Sequence, residues 1–520
     1  MIPLYSTKQI RQVDEYAINK LSIPGIVLME NASREIFRKI TERIKHLDSP
    51  SIGFVCGKGN NGGDGFAAAR HFSNASYEVV VIYIGSENEF SEDARFNFRV
   101  LNKLSAHNKK IKLLKYTSVS ALSPLKKCEI IFDALLGSGT QGSLRKPYLS
   151  IVSYLNKLKS IKVAIDIPTG LNADNGFSED AFDADFTVTL GQLKKGLFFG
   201  DGYIYSGEVE KGGIGIPESL FDKFTPTEYL IEPEDALFGL PVKAKNLHKY
   251  SAGKVLSIAG SGSLPGAAVL TATSALKIGA GASILCFPKS VRELVHKKLG
   301  EVVVKTYEDT GKEYFTERNV KELQEKIRWA DVVAIGPGLG REKDTQKAVL
   351  SLLKKYNPKK VVIDADGVFA LGQGRYKRLN LKNTVLTPHH AEFAALIGIS
   401  NAELKKDILK YGKTFVKTTH AFLVLKDAPT IIFTPEGDAL INTTGNPALA
   451  KFGTGDVLTG FIAGMLSQQN DTEKAVITAV YLHSLAADIL VEKRSKLDIL
   501  ASDIQNYIPQ TIKFLVNSIV

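Results

Sequence analysis

The sequence predicts two α/β domains, and three observations support this prediction. The chain has 520 residues, which is too long for one ordinary hydrophobic core. Short apolar runs alternate with apolar patterns of helical spacing along both halves, as in sheets covered by helices. Residues 217–248 are rich in proline and lack a long periodic segment, which is typical of a linker followed by an entry strand. We therefore expect one domain over residues 1–220 and another over residues 228–516.

Composition indicates a soluble globular protein, with 44% apolar and 23% charged residues. The first residues turn polar at once, and no uninterrupted apolar run reaches about 18 residues, so neither a signal peptide nor a membrane span is expected. The cysteines, Cys56, Cys128 and Cys286, are scattered through apolar segments. This pattern favours reduced core thiols and a cytoplasmic location over a disulfide framework or a metal site.

The net charge of +11 would permit nucleic-acid binding. The lysines are spread along helices and loops, however, and no dense basic tract with interleaved aromatic residues is present. Examples are Lys109, Lys110, Lys194, Lys195, Lys354 and Lys355. Such residues usually form solvated faces. We expect no nucleic-acid partner, and the same positive field suits an anionic small molecule.

The first half begins with a helical pattern over residues 6–46, interrupted at Pro24 and Gly25. A buried strand, Ile52–Cys56, then leads into the glycine-rich loop Gly57–Gly65 and a helix from Phe66. This arrangement binds phosphate in open α/β sheets, although the glycine spacing does not match the dinucleotide fingerprint. Further strands are predicted at Val79–Ile84, Ile111–Tyr116, Glu129–Leu135, Val163–Ile167 and Phe186–Leu190, with helices at Asp93–Leu104 and Tyr148–Leu158.

Two of these strands end in an aspartate followed by a loop, namely Asp133 and Asp166. Ligands of open parallel sheets bind beyond the carboxyl ends of the strands. Asn61, Asp133 and Thr169 should therefore gather there as oxygen donors, a set that selects a hard cation over zinc. A single aspartate at a strand end often only anchors a loop, and Asn61 could simply favour a left-handed turn.

The first half resembles the NAD(P)H-hydrate epimerase family through GNNGGDG (59–65), DALLGSG (133–139) and DIPTGLNAD (166–174). The resemblance implies a Rossmann-like three-layer fold, with Asp166 as the acid/base and potassium bound by Asn61, Asp133 and Thr169. It also implies that the hydrated nicotinamide cofactor is bound by Asn60, Asn61, Gly62, Gly63, Asp64, Gly137, Ser138, Gly139, Thr140, Gln141, Gly142, Ser143, Tyr148 and Asp166.

The second half repeats the strand-and-loop pattern without repeating the sequence of the first. Its strands are predicted at Val255–Ala259, Ser283–Phe287, Val332–Ile335, Val361–Ile363, Thr384–Leu386, Phe422–Leu425 and Thr430–Phe433, with a loop at Gly260–Ala268 and a helix at Leu270–Leu276. Polar or glycine-rich loops follow several strands: Gly336–Gly340, Asp364–Gly367 and Thr387–His390. Taken alone, each could be a turn, a helix cap or a loop histidine.

Gly453-Thr454-Gly455-Asp456 precedes an apolar run with helical spacing. The unpaired N–H groups at a glycine-rich helix start, together with the helix dipole, can hold an anion. On this motif alone, Asp456 is slightly better interpreted as a helix N-cap than as a base. The strand-end loops that precede it in the chain favour a base beside a transferred phosphoryl group.

The second half also resembles a known family, the ADP/ATP-dependent NAD(P)H-hydrate dehydratases of the ribokinase-like fold, a three-layer α/β/α sandwich. The motifs are GPGLG (336–340), DADG (364–367), LTPHHAEF (386–393), VLKDAPTII (424–432) and NTTGNPALAKFGTGDVLTG (442–460). The resemblance implies that the hydrated cofactor is bound by Ala267, Gly338, His389 and Asp456, with Asp456 catalytic. It implies that ADP is bound by Lys426, Asp427, Ala428, Pro429, Thr430 and Gly455.

Five departures concern the nucleotide pocket. His390 and Ala391 replace a usual proline and glycine, Asp427 replaces a usual glycine, and Lys451 and Phe452 replace small residues. They leave Asp456 and its flanking glycines intact.

Together, the resemblances imply a bifunctional isomerase and lyase that acts on NADHX and NADPHX. The first domain would epimerise the R and S forms with bound potassium. The second would dehydrate S-NAD(P)HX to NAD(P)H with ADP and Mg²⁺, giving AMP and phosphate. We expect a homo-oligomer without a membrane partner. The alternatives are a ribokinase-like small-molecule kinase, such as a vitamin-precursor kinase with a regulatory N-terminal domain, and a non-catalytic binding protein.

Overall fold

The computed structural model describes residues 1–139, 142–246, 248, 251–356 and 358–519. It divides into two compact units: Pro3–Pro226, called here the N-terminal unit, and Thr227–Val520 with Met1 and Ile2, called the C-terminal unit. The chain begins with the two-residue strand β1 (Ile2–Pro3).

The N-terminal unit is built on a parallel sheet. Its strands are β2 (Ile52–Cys56), β3 (Val79–Tyr83), β4 (Ile111–Lys115), β5 (Ile130–Ala134), β6 (Ile161–Ile165), β7 (Phe186–Leu190) and β8 (Glu208–Gly212). Its helices are α1 (Thr7–Asn19), α2 (Gly25–Ile44), α3 (Asn60–Asn74), α4 (Glu92–His107), α5 (Tyr148–Leu155) and α6 (Asp201–Tyr205). The strand order is β4-β3-β2-β5-β6-β7-β8, and each neighbouring pair is parallel.

Both faces of this sheet are covered, which explains why its central strands are apolar runs without alternation. Phe54 of β2 and Phe132 of β5 stack with ring centroids 4.4 Å apart in a core that includes side chains of α2 and α3. Their neighbours Val55 and Ile131 point to the other face, where side chains of α5 join them. The strand order reverses between β2 and β5, so the crevice where such folds bind ligands lies beyond these two strands.

The C-terminal unit contains a larger mixed sheet. Its strands are β9 (Glu228–Leu230), β10 (Lys254–Ile258), β11 (Ala282–Pro288), β12 (Val303–Tyr307), β13 (Val332–Ile335), β14 (Val361–Ile363), β15 (Thr384–Leu386), β16 (Phe422–Leu425), β17 (Thr430–Phe433) and β18 (Ala439–Asn442). Its helices are α7 (Pro233–Phe238), α8 (Pro265–Lys277), α9 (Arg292–His296), α10 (Glu317–Glu322), α11 (Gln324–Trp329), α12 (Lys343–Tyr356), α13 (Asp366–Leu371), α14 (His390–Ile397), α15 (Asn401–Lys406), α16 (Ile408–Thr419), α17 (Thr454–Gln468), α18 (Thr472–Val491) and α19 (Ala501–Ile519).

These strands run in the order β9-β18-β17-β16-β15-β14-β13-β10-β11-β12. The pairs on either side of β17 are antiparallel, and the others are parallel. Ile432 packs in a core with α17, α18 and α19, whereas the next residue, Phe433, faces Gly412 of α16. Helices therefore cover both faces of this sheet as well, and the predicted α/β class is confirmed for both units.

Helix α18 is long and apolar enough to cross a bilayer by length and composition alone. In the structure, 78% of its most apolar window is buried, and it packs against α7, α17 and α19. Its apolar sequence is accounted for by its place in the core of the C-terminal unit.

Helix α3 begins at Asn60, six residues before the predicted start at Phe66. The glycines expected to form a loop lie inside the helix, where close packing requires them. A Cβ on Gly62 would lie 2.1 Å from the carbonyl oxygen of Gly57, and one on Gly65 would lie 2.5 Å from the Cβ of Ala134. Tertiary packing against the strand ends thus overrides the low helix propensity of glycine.

Candidate active sites

The N-terminal unit has a cavity of about 470 Å³ at the carboxyl ends of its central strands. Its walls combine predicted site residues from three places: the start of α3, the loop after β5 and the end of β6. The lining includes Asn60, Asn61, Asp64, Gly137, Ser138, Gly139 and Asp166. Gly137 lies between two of these elements, since a Cβ there would be 3.3 Å from the Cβ of Asn61 and 3.5 Å from Oδ2 of Asp166. The strand topology therefore brings the sequence motifs into one site.

Of the three predicted potassium ligands, Asn61 lines this cavity, and Asp133 and Thr169 are buried. Oδ1 of Asp133 accepts a hydrogen bond from the Thr169 hydroxyl at 2.8 Å, and its Oδ2 accepts one from the Thr169 N–H at 2.7 Å. Burial raises the pKa of Asp133 to about 6, against the opposing effect of these hydrogen bonds. Asn61 is buried, and neither polar atom of its side chain has a hydrogen-bond partner among the described residues. Buried amides are normally paired, so this side chain is suited to a ligand.

Asp166 is held in an unusual conformation, with a backbone φ of +70°. Such angles are rare outside glycine and concentrate at functional sites. Its Oδ1 lies 2.7 Å from Nζ of Lys194 and accepts a hydrogen bond from the Leu190 N–H at 3.2 Å. Its Oδ2 accepts a long hydrogen bond of 3.4 Å from the Ser138 N–H. The carboxylate is thus fixed at the cavity wall by residues from three segments.

Lys194 corrects the interpretation of the scattered lysines as solvated faces. Its side chain is 2% exposed, and besides Asp166 it donates to the Thr189 hydroxyl at 3.1 Å and the Leu190 carbonyl at 2.8 Å. All three ammonium hydrogens therefore have acceptors, as a buried charge requires. Two of these acceptors lie at the end of β7, five and four residues earlier, and the third follows β6, so the burial of Lys194 depends on how these two strands pack.

The remaining predicted residues of this unit occupy neighbouring positions. Gly142 and Ser143 line a second cavity, of about 260 Å³, which shares Leu136 and Gly137 with the first. Tyr148 is the first residue of α5, and burial raises its pKa. Gly62 and Gly63 lie in the first turn of α3. Thr140 and Gln141 lie outside the described residues.

In the C-terminal unit, α17 begins with the predicted anion-binding turn. Gly453 is the N-cap residue and has a φ of +94°, a conformation that favours glycine. Asp456 is the third helical residue, so the interpretation of Asp456 as the N-cap is wrong. No side-chain cap occupies this helix end, and a negative group in the first turn is favoured by the dipole.

Lys426 and Asp364 lie directly beside this turn. Nζ of Lys426 is 2.7 Å from Oδ1 of Asp364, and Oδ2 of Asp364 accepts a hydrogen bond of 2.7 Å from the Thr459 hydroxyl of α17. A Cβ on Gly455 would lie 3.2 Å from the same Nζ. Burial lowers the pKa of Lys426, but the charges of Asp364 and Glu392 outweigh it and raise that pKa above its usual value. Lys426 is therefore a cation facing the amides of the helix start.

Asp456 carries a strongly perturbed carboxyl group. Its pKa is raised to about 7, chiefly by burial and then by the charges of Asp364 and Asp366, while Lys426 acts in the opposite direction. Proton transfer is most efficient when the pKa of the base lies near the working pH. A carboxyl in this range at the start of a helix is suited to act as a general base.

Two further predicted positions lie together in the same unit. A Cβ on Gly338 would lie 3.0 Å from the Cβ of Ala267, and the φ of Gly338 is +63°. The neighbouring loop is fixed by Asp366, whose Oδ2 accepts a hydrogen bond of 3.0 Å from the Gly340 N–H.

His389 caps α14 instead of lying free in a loop. Its Nδ1 accepts a hydrogen bond of 3.2 Å from the Glu392 N–H, and the Glu392 carboxylate accepts one of 3.0 Å from the His389 N–H. The backbone of His389 also pairs with Lys426 in a parallel bridge. This bridge places the predicted substrate residue next to the predicted nucleotide segment.

Two of the departures from the family pattern contact each other. Nδ1 of His390 lies 2.8 Å from Oδ2 of Asp427, which links α14 to the loop after β16. Asp427 has a lowered pKa: burial alone would raise it, but hydrogen bonding and charge from His390 prevail. Nζ of Lys451 donates to the carbonyl oxygens of Leu497 and Ile499 at 2.6 and 2.7 Å, whereas the Phe452 ring is fully exposed.

His483 is a functional candidate that the sequence did not single out. Its Nε2 lies 3.0 Å from the Thr454 carbonyl oxygen, at the start of α17. Burial lowers its pKa to about 4, so the ring is neutral at pH 7 and donates from Nε2. It stands in a continuously apolar helix, where a histidine is more often a core residue than a site residue.

Comparison with known proteins assigns both halves. The family model described as NAD(P)H-hydrate dehydratase matches residues 255–510, and the one described as YjeF-related protein N-terminus matches residues 25–196. A bifunctional NAD(P)H-hydrate repair enzyme from Moorella thermoacetica is 33% identical over 98% of this chain and 97% of its own length. A protein of the same name from Thermofilum pendens is 32% identical over 98% and 95%, respectively.

A solved structure supports the fold of the second half. The ribokinase-like superfamily protein from Enterococcus faecalis is 26% identical and covers 56% of this chain and 98% of its own, with a TM-score of 0.50.

Proposed function

This chain belongs to the family of bifunctional NAD(P)H-hydrate repair enzymes, and we propose that its two units each perform one half of the repair. The N-terminal unit epimerises R- and S-NAD(P)HX. The C-terminal unit dehydrates S-NAD(P)HX to NAD(P)H with ADP, giving AMP and phosphate. Hydration of the nicotinamide ring places a hydroxyl on C6 and destroys the hydride donor. Because the product forms as two C6 epimers and the dehydratase takes one of them, both activities are needed to clear it.

In the N-terminal unit, Asp166 is the proposed acid/base and the cavity around it the proposed NAD(P)HX site. Asn61, Asp133 and Thr169 are the proposed potassium ligands. The unpaired side chain of Asn61 fits this role, because a cation beside its carbonyl oxygen would supply the missing partner. Bound potassium would contribute a fixed positive charge near the anionic groups of the substrate.

In the C-terminal unit, Asp456 takes the proton of the C6 hydroxyl as that oxygen attacks the terminal phosphoryl group of ADP. The N–H groups at the start of α17 and the ammonium of Lys426 stabilise the charge that develops. The phosphorylated oxygen then leaves as phosphate, expelled by the lone pair of the ring nitrogen. Loss of a proton from C5 restores the dihydropyridine ring.

A divalent cation fits the acidic wall of this site. Asp364 and Asp366 raise the pKa of Asp456 by like-charge repulsion, and Mg²⁺ is usually held by one or two carboxylates together with substrate phosphates. Bound with ADP, Mg²⁺ would neutralise phosphate charge.

The observation that carries the proposal for the C-terminal unit is the placement of Asp456. A carboxyl with a pKa of about 7 stands in the first turn of a glycine-capped helix, beside the ammonium of Lys426. This combination provides a base and an anion site within one turn.

The test is an assay of the full-length protein with NADHX or NADPHX, starting from each purified epimer, with ADP and ATP in parallel. We expect the absorbance of NAD(P)H to appear with ADP, without a lag from the S form and after epimerisation from the R form. A small-molecule kinase of the same fold would produce no such absorbance and would leave phosphate on its product.

A further inference from the structure

Asp14 is a second carboxyl group at the wall of the cavity that holds Asp166. It comes from α1 and is not among the site residues that the sequence predicts. Its Oδ1 is buried and has no hydrogen-bond partner among the described residues. A buried carboxyl oxygen without a partner is costly unless a ligand or a proton satisfies it.

The surroundings of the two carboxyl groups differ. Asp166 is paired with the Lys194 ammonium at 2.7 Å and accepts two backbone N–H bonds. No described residue donates to Oδ1 of Asp14, and burial raises its pKa to about 6, with Asp166 and the exposed Glu15 adding to the rise and Lys194 opposing it. Asp64 also lines the cavity, and burial raises its pKa well above its usual value.

We propose that Asp14 is the second catalytic residue of the epimerase site and acts as the acid that is paired with Asp166 as the base. The inference rests on the proposed function of the N-terminal unit. A carboxylate held by a lysine and a carboxyl whose buried Oδ1 lacks a donor provide a proton acceptor and a proton donor in one site. Both line the same cavity, and the proposal places them on opposite faces of one ring carbon.

The proposed reaction has two steps, loss of water and addition of water. Protonated Asp14 gives its proton to the C6 hydroxyl, the C6–O bond breaks, and the lone pair of N1 forms an N1=C6 double bond as water leaves. Another water attacks C6 from the opposite face, the double-bond electrons return to N1, and Asp166 takes the proton of the attacking water. The product is the other epimer. Asp14 is left ionised and Asp166 protonated, which is the state needed for the reverse reaction, and proton exchange with solvent resets the pair.

The test compares Asp14→Asn with Glu15→Gln in the full-length protein. Glu15 is the next residue of the same helix and is exposed, so its substitution controls for a change of charge near the site. We expect Asp14→Asn to lower kcat for epimerisation by about 100-fold or more, the lower bound for loss of a general acid. Dehydration of pure S-NAD(P)HX should persist in both variants and shows that the C-terminal unit is folded. An unchanged circular-dichroism spectrum of Asp14→Asn shows the same for the N-terminal unit.

Two further readouts use the wild-type enzyme. Its epimerisation rate should fall as pH rises above about 6, since Asp14 must be protonated, and Asp14→Asn should lose this limb. In H₂¹⁸O, each epimerisation should introduce one labelled oxygen at C6. Two results would overturn this inference alone. One is a wild-type enzyme that epimerises but keeps the original oxygen at C6, and the other is an Asp14→Asn variant with unchanged rate and pH profile. A wild type that does not interconvert the epimers would overturn the proposed function and this inference with it.

Discussion

The two units place a lysine–aspartate pair at their candidate sites in different ways. In the N-terminal unit, Lys194 pairs at 2.7 Å with Asp166, the proposed acid/base itself. In the C-terminal unit, Lys426 pairs at the same distance with Asp364, a neighbour of the proposed base. The lysine therefore neutralises the reacting carboxylate, Asp166, in the N-terminal site. In the C-terminal site, the reacting carboxylate, Asp456, stays beside the like charge of Asp364. Burial is the main cause of the raised pKa of Asp456, and the like charge of Asp364 adds to it.

The comparison suggests how one chain can carry two acid–base chemistries. In the C-terminal site, a single carboxyl beside an anion-binding helix start accepts one proton during phosphoryl transfer. In the N-terminal site, an ion-paired carboxylate and an unpaired carboxyl share the proton transfers of a reversible reaction. The oriented amides of α17 have no equivalent role in the second case, since no phosphoryl group is transferred.

The largest expected effects come from removing each proposed base in turn. Asp456→Asn should lower the dehydratase rate by about 10²–10⁴-fold, the usual contribution of a general base, while epimerisation persists. Asp166→Asn should abolish epimerisation and spare the dehydration of pure S-NAD(P)HX. The measurement is the initial rate of each reaction in each variant of the full-length protein.

The two variants serve as controls for each other, because each keeps the other unit intact. Dehydration at the wild-type rate by Asp456→Asn would disprove the assignment of that base. Loss of both activities in a folded Asp166→Asn protein would point to one shared site and remove the basis for treating the units separately.

The next largest effect is on the pH dependence of the two activities, which should differ between the units. Asp456 must be ionised to accept a proton, and its pKa is about 7. Below this value, kcat/KM for dehydration should therefore fall by about tenfold per pH unit, since the ionised fraction falls in that proportion, and above it the rate should level off. Epimerisation should show the opposite trend, declining above about pH 6 as Asp14 ionises.

Both profiles are measured on one preparation, with the nonenzymatic rates subtracted at each pH. The residual dehydratase activity of Asp456→Asn should lose the limb near pH 7. A dehydratase profile that is flat between pH 5 and pH 9 would contradict the proposed role of this carboxyl.

A smaller effect is expected from the His390–Asp427 pair. The pair links α14 to the proposed nucleotide segment, and Asp427 is half exposed, so solvent screening limits its contribution to about 0.2–1 kcal/mol. His390→Ala should raise the KM for ADP by up to about fivefold, with little change in kcat. Epimerisation should be unaffected.

A double-mutant cycle with Asp427→Ala tests whether the two residues act as a pair. If they do, the double variant should be no worse than either single one. Fully additive losses would mean that each residue affects the nucleotide independently.

Sequence patterns were sufficient for the fold class and for the strand-end loops, because strands buried on both faces are apolar runs and the loops after them carry the glycines and aspartates. They could not place Lys194, whose burial depends on Asp166 and on acceptors from β7. Asp14 and His483 were missed because each stands in a helix whose pattern is explained by packing alone. The start of α3 was placed too late. Its glycines are required by close contacts with Gly57 and Ala134, and the sequence pattern does not show these contacts.

The smallest effect concerns the residues that precede the anion-binding turn. The start of α3 has a different anchor, since Lys58 forms an ion pair with Glu89. Lys451 donates to two carbonyl oxygens in the segment between α18 and α19, and hydrogen bonds from charged groups contribute about 1.5–3 kcal/mol at most. Lys451→Met keeps the aliphatic stem and removes both bonds. It should lower the thermal midpoint for loss of dehydratase activity by a few degrees, with the epimerase midpoint unchanged.

Phe452→Ala is the matched control: its ring is fully exposed, so its effect should stay within about 0.5 kcal/mol. Equal losses in the two variants would show that this stretch acts through its backbone, and that the Lys451 ammonium does not hold the turn in place.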